Sequence, residues 1–216
     1  MSFTPAEWSL IASATVAILM VGSLHVRVNL FGYCVLTVLI SLATMFSAID
    51  HHETSMFYLA GAIALLKGIS IPLFLYWIIG KLKLGSDSGA VLSAPLAMHL
   101  NIGLTIMSYF LVSEFPVPLG ELRTWVGAMA AISMVLTGIV LMLIRRLAIS
   151  QIIGFLVLEN GIYIFALTQT RGMPLIIEMG VVLDVLVGVM IAGLLMFRIQ
   201  SSFEHIDVSK LTDLRD

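Results

Sequence analysis

From about residue 6 to residue 197 the sequence passes through seven apolar stretches separated by polar turns, and that alternation leaves few folds open. The stretches lie at approximately residues 6–24, 31–49, 55–79, 91–112, 126–144, 150–169 and 174–197. At 1.5 Å of rise per helical residue, each approaches or crosses a hydrocarbon core about 30 Å thick. The expected fold is therefore all-α: a polytopic integral membrane protein with seven transmembrane helices. Seven spans use most of the 216 residues and leave no room for a soluble catalytic domain. Only 11% of residues are charged, against roughly 25% in ordinary soluble domains.

The first stretch is read as a retained helix rather than a signal peptide. Its leading residues carry Glu7 and no Lys or Arg, and it runs on into a second span. The basic residues alternate between the turns. Arg27, Lys81, Lys83, Arg145, Arg146, Arg198, Lys210 and Arg215 collect on one side, and Arg123 and Arg171 on the other. The second side also holds Asp50, Glu53, Glu114 and Glu121. This bias places the N-terminus outside and the C-terminal tail in the cytoplasm. Trp8, Trp77 and Trp125 fall near span ends, where indole rings anchor at the interface.

Several chemistries are set aside at once. Cys34 is the single cysteine, which excludes an intrachain disulfide and a cysteine-based metal cluster. His51 and His52, followed by Glu53, are neighbours with no common helical face, so they are read as a solvated turn rather than a metal site. No Gly-rich nucleotide loop, basic nucleic-acid patch, haem-spaced histidine pair or nucleophile–base set is visible. No cofactor is expected in this chain.

What remains is the set of ionisable residues inside the apolar stretches. Lys67, Glu159 and Asp184 lie close to midspan, and each would cost roughly 2.5–3.5 kcal/mol if inserted charged and unpaired. Such groups pair, protonate or draw in water, which is the chemistry of a proton or ion relay. The same residues also suit a purely structural role, because a Lys–carboxylate pair can hold helices together. Pro72 cannot donate to the carbonyl of Gly68, which offers polarity and space beside Lys67. Gly180 and Gly188 flank Asp184 at four residues on either side, on its own helix face. Tyr163, four residues after Glu159, is a candidate donor to it, and Asn160 points toward a different helix. His99 and Asn101 in the fourth span are weaker candidates. Glu178 is either the outer mouth of a path or an interfacial residue.

A faint duplication divides the chain. Residues 1–90 form an N-terminal three-helix unit, 91–125 a fourth helix with an external loop, and 126–216 a second three-helix unit with a cytoplasmic tail. The segment "RRLAISQIIGFLVLENGIYIF", the segment "EMGVVLDVLVGVMIAGLLMF" and the tail "HIDVSKLTDLRD" resemble the three-helix NuoK-type subunit of respiratory complex I and MrpC-type antiporter subunits. Over nearly its whole length, including "LLKGISIPLF", the chain resembles component E of hydrogenase-4, the HyfE-type membrane subunit.

The resemblance implies a place in the cytoplasmic membrane arm of a group 4 [NiFe] hydrogenase or formate-hydrogenlyase-like complex. Its implied partners are a hydrogenase-anchoring membrane subunit, antiporter-like subunits and a soluble module holding iron–sulfur clusters and a nickel–iron centre. It also implies that Asp184 stands at the acidic position of the last NuoK-type helix and Asn160 at an asparagine of that pattern. The other acidic position is occupied here by Leu156. Glu159 follows three residues later, on nearly the same face and about 4.5 Å further along the axis. The alternatives are a scaffold that only joins the hydrogenase module to its antiporter-like neighbours, or a subunit of another complex-I-like or multisubunit antiporter assembly.

Overall fold

In the computed structural model of the chain, residues 3–51, 54–81, 85–87, 90–114, 122–169 and 188 are described below. All but Gly188 belong to one compact unit, Met1–Ile177. Its helices are α1 (Pro5–Val21), α2 (Val26–His51), α3 (Thr54–Ala62), a π-helix (Ile63–Ser70), α4 (Ile71–Lys81), α5 (Ala94–Glu114), α6 (Leu122–Ile144) and α7 (Ala148–Gln169). The third expected span is thus one continuous helix made of α3, the π segment and α4.

Among the described residues, five helices are long and apolar enough to cross a membrane: Val26–Asp50, Met56–Lys81, Ala94–Glu114, Trp125–Ile144 and Ala148–Gln169. Helices suit this setting because they satisfy every backbone hydrogen bond within the segment. The protein is an all-α polytopic membrane protein. Helix α1 has 17 residues, about 26 Å of helix, and is the shortest of the expected spans among the described residues. The seventh stretch apart from Gly188, with Glu178, Asp184 and the tail, lies outside the described residues, as do His52 and Glu53.

Local signals explain the helix ends. Thr4 caps α1: its hydroxyl accepts from Glu7 N at 3.3 Å, and its own N–H donates to Glu7 Oε2 at 2.6 Å. Pro5 opens the helix, where a missing N–H costs nothing. Glu7, which the sequence offers as an argument against a signal peptide, is the reciprocal half of this capping box.

Among the described helices, α6 and α7 form the closest-packed pair. A methyl group added at Gly161 would lie 2.8 Å from Val135 N and 2.9 Å from Ala131 O, so only a glycine allows the approach. Gly138 does the same from the α6 side: its added carbon would meet Leu158 N at 2.5 Å. Small residues let helix backbones close where lipid supplies no hydrophobic drive between helices. Helix α1 packs on α2 and α6, while α2 touches the third span on one side and α7 on the other. Helix α5 rests mainly on α6 and leaves Leu100, Ile106 and Phe110 exposed, as a lipid-facing surface requires.

Arg145, counted from the sequence only among the basic residues of one side, is drawn into the protein. It is 2% exposed. Its Nη2 donates to Val21 O at 2.9 Å and Ser23 O at 2.6 Å, closing the end of α1 against the end of α6. Burial pushes its pKa down and the nearby Asp87 carboxylate opposes that shift; a guanidinium stays charged in proteins regardless. Asp87 in turn accepts from Leu147 N at 3.3 Å, and Gln151 Nε2 donates to Arg145 O at 2.9 Å. The α6–α7 turn is held from both sides. A charge count over turns cannot see this, because it treats every loop cation as wet.

Candidate functional site

Three elements converge on one buried ion pair. Lys67 Nζ lies 2.7 Å from Glu159 Oε1, with the two side chains 9% and 2% exposed. Lys67 is the twelfth of 26 residues in its span, and Glu159 is the twelfth of 22 in its own. Both stand near the centre of the membrane segment, so they meet at a common depth. Contact makes the pair neutral as a unit, and removing either partner strands the other charge in a dry interior.

The backbone that carries Lys67 is unusual. Eight residues, Ile63–Ser70, form a π-helix that ends two residues before Pro72. Ile71 N–H donates to Leu66 O, five residues back, and Ser70 Oγ donates to Leu65 O at 3.0 Å. Pro72 supplies the physical cause. It has no N–H for the carbonyl four residues earlier, and its ring collides with that carbonyl. Lengthening each hydrogen-bonded loop by one residue widens the helix and relieves the collision. The sequence marks the spot through Pro72 but gives only a freed carbonyl at Gly68; the extended π register is not legible in it. The register re-aims Lys67, and π segments are frequent at functional sites.

Helix α2 is the partition beside the pair. Asn160, next to Glu159, donates from Nδ2 to Thr37 Oγ1 at 3.0 Å. The methyl group of Thr37 lies on the side of Gly68, 3.9 Å from where a Cβ would stand. One threonine therefore touches the helix of each charged residue. One and two turns further along α2, Ser41 Oγ donates to Ala60 O at 2.8 Å, and Thr44 Oγ1 lies 3.0 Å from the Tyr163 hydroxyl. Tyr33, fully buried, stands one turn before Thr37. Thr37, Thr44 and Tyr33 were missed by charge-based reading. Their signal is a polar residue recurring every three to four positions on an apolar helix.

The weaker candidates separate from this cluster. His99 is exposed on α5, with Nδ1 2.7 Å from Pro95 O. Asn101 is fully buried and donates from Nδ2 to Thr137 Oγ1 on α6 at 3.1 Å. Thr105 and Ser133 continue that seam at 3.1 Å. This seam joins α5 to α6, whereas the ion pair joins the third span to α7. Among the described residues, no group of three or more His, Cys, Asp or Glu side chains is arranged to hold a metal.

Compared with known proteins, the chain is similar to an uncharacterized protein of Mycobacterium tuberculosis, Rv0085. The two are 34% identical over 161 residues, covering 72% of this chain and 70% of the relative. No family model matches the chain, and no solved structure matches it.

Proposed function

The chain belongs to the family of Rv0085, and we propose that it is a membrane-arm subunit that carries protons, or sodium ions, through midmembrane ionisable residues in step with redox chemistry held elsewhere. The observation that carries this reading is the Lys67–Glu159 pair: two buried opposite charges in direct contact at the centre of their spans. A proton delivered to Glu159 neutralises the carboxylate and loosens its hold on the Lys67 ammonium. Loss of that proton restores the pair. With Asp184 as a second acidic member, such steps would pass charge along the plane of the membrane. Asn160 and Tyr163 fix the α7 backbone on either side of Glu159 through their α2 partners.

The finer identity rests on resemblance. The Lys67–Pro72 and Gly154–Asn160 segments resemble a hydrogenase-4 component E and, in the C-terminal part, a NuoK-type subunit. This reading adds a seven-helix topology with a cytoplasmic C-terminus, three-helix units at 1–90 and 126–216 with the fourth helix between them, and the cytoplasmic membrane of a bacterium. It also adds antiporter-like, hydrogenase-anchoring and soluble iron–sulfur and nickel–iron partners. Purification of the tagged chain from its native membrane tests it. Co-isolation of a soluble redox module and antiporter-like subunits is expected. A lone chain that moves ions in vesicles would exclude the complex.

A scaffold is the second reading, favoured by the directness of the contact. A 2.7 Å salt bridge without an intervening group is what a helix clamp requires. The two readings part on whether ion movement survives neutralisation of Glu159 in an assembled complex.

A further inference from the structure

Between α2 and the third span, an apolar groove of about 390 Å³ opens on the surface. Its walls are Leu30, Phe31 and Cys34 from α2 and Gly68, Pro72 and Leu73 from the third span. The groove exists because Gly68 has no side chain and Pro72 has a short, closed one, so α2 and the third span do not fill the space between them. One end is polar. Arg27 sits there, 5.9 Å from the centre of the Tyr76 ring. One turn further on, Lys81 Nζ lies 4.9 Å from the Trp77 ring. Both cations are exposed.

We infer that this groove is a binding site for an anionic phospholipid, with one acyl chain in the groove and the headgroup phosphate on Arg27 and Lys81. The dimensions agree. Arg27 and Cys34 are seven residues apart, about 10 Å of helix, and Tyr76 and Gly68 are eight apart, about 12 Å. The groove thus runs from the interface most of the way through one leaflet of a core about 30 Å thick. The walls offer an acyl chain an almost wholly apolar surface, and the mouth offers an anion the Arg27 guanidinium, with Lys81 following five residues after the groove-lining Tyr76. Aromatic stacking keeps both cations at the interface instead of letting them swing into solvent. An anionic headgroup gains from each; a zwitterionic one gains far less. Each cation is worth about a fivefold preference near an anionic surface.

Photo-cross-linking decides the matter. The full chain is reconstituted in phosphatidylcholine vesicles with a trace of acyl-chain diazirine lipid, either phosphatidylglycerol or phosphatidylcholine, and labelled residues are mapped. The phosphatidylglycerol probe is expected to label Leu30–Cys34 and Gly68–Leu73 at least about fivefold more than the phosphatidylcholine probe. Both probes should label the α5 face at Ile106 and Phe110 equally. Arg27→Gln with Lys81→Gln should abolish the preference and leave phosphatidylcholine labelling of the groove intact; Arg27→Lys should keep the preference. Equal labelling by the two probes, a preference that survives loss of both cations, or no groove labelling would overturn the assignment.

Discussion

Thr37 and Asn160 are joined by a 3.0 Å hydrogen bond one residue away from Glu159, and the same threonine packs toward Gly68, one residue away from Lys67. The bond sets the rotation of α7 against α2, and through it the position of the carboxylate. Thr37→Val keeps the shape and removes the acceptor, leaving the Asn160 amide without its partner. Interhelical hydrogen bonds in membranes average about 0.6 kcal/mol and reach about 1.7. A loss of about 0.5–2 kcal/mol is expected, read by unfolding of the purified protein in mixed micelles.

The ion pair should behave as a unit. Lys67→Met or Glu159→Leu alone strands a charge and should cost about 3–5 kcal/mol. The double replacement should cost much less than the sum, because apolar groups of similar volume substitute well for a buried pair. A double-mutant cycle on unfolding free energies measures the coupling. Additive single effects would show that the contact contributes nothing.

Pro72→Ala supplies the N–H that Gly68's carbonyl lacks. The π segment is then expected to relax toward α-helix, turning Lys67 by about 100° relative to its present direction. The coupling between Lys67 and Glu159, measured by the same cycle in the Pro72→Ala background, should fall toward zero. Coupling that stays at its original strength would mean that the π register does not aim Lys67.

Gly161→Ala probes the α6–α7 seam. Its new methyl would stand 2.8 Å from a backbone nitrogen of α6, so the helices must separate, at a cost of about 1–3 kcal/mol. Gly103 on α5 is the control, as nothing lies within 4 Å of a Cβ there. Gly103→Ala should be neutral or stabilise by roughly 0.5–1 kcal/mol. Thermal inactivation of the two variants side by side distinguishes them.

The five described spans, and the charged residues Lys67 and Glu159 within two of them, were legible in the chain because length, apolarity and charge are local properties. Asn160's turn toward a different helix was legible too, from helical geometry alone. Which helix it meets was not: periodicity orients a side chain around its own axis and says nothing about neighbours. Arg145 shows the same limit from the other direction. The charge count gives it a side of the membrane and no partner, yet the carbonyls at the end of α1 draw it inward. Pro72 announced a local fault at the right residue, but the choice between a kink and eight residues of π-helix depends on what packs against them. The closeness of α6 and α7 was half visible: Gly154 and Gly161 thin one helix in the sequence, while Gly138 on the partner gains meaning only once the two are placed together.

The central claim is that Glu159 exchanges protons as part of ion movement, and Glu159→Gln in the assembled native complex tests it most directly. Gln keeps the shape and cannot carry the charge. With inverted membrane vesicles, redox turnover and proton (or sodium) movement are measured together. Ion movement per electron is expected to fall at least about tenfold while subunits remain assembled and electron transfer continues. An assembled Glu159→Gln complex that moves ions at the unaltered ratio would contradict the account and leave the pair as a clamp.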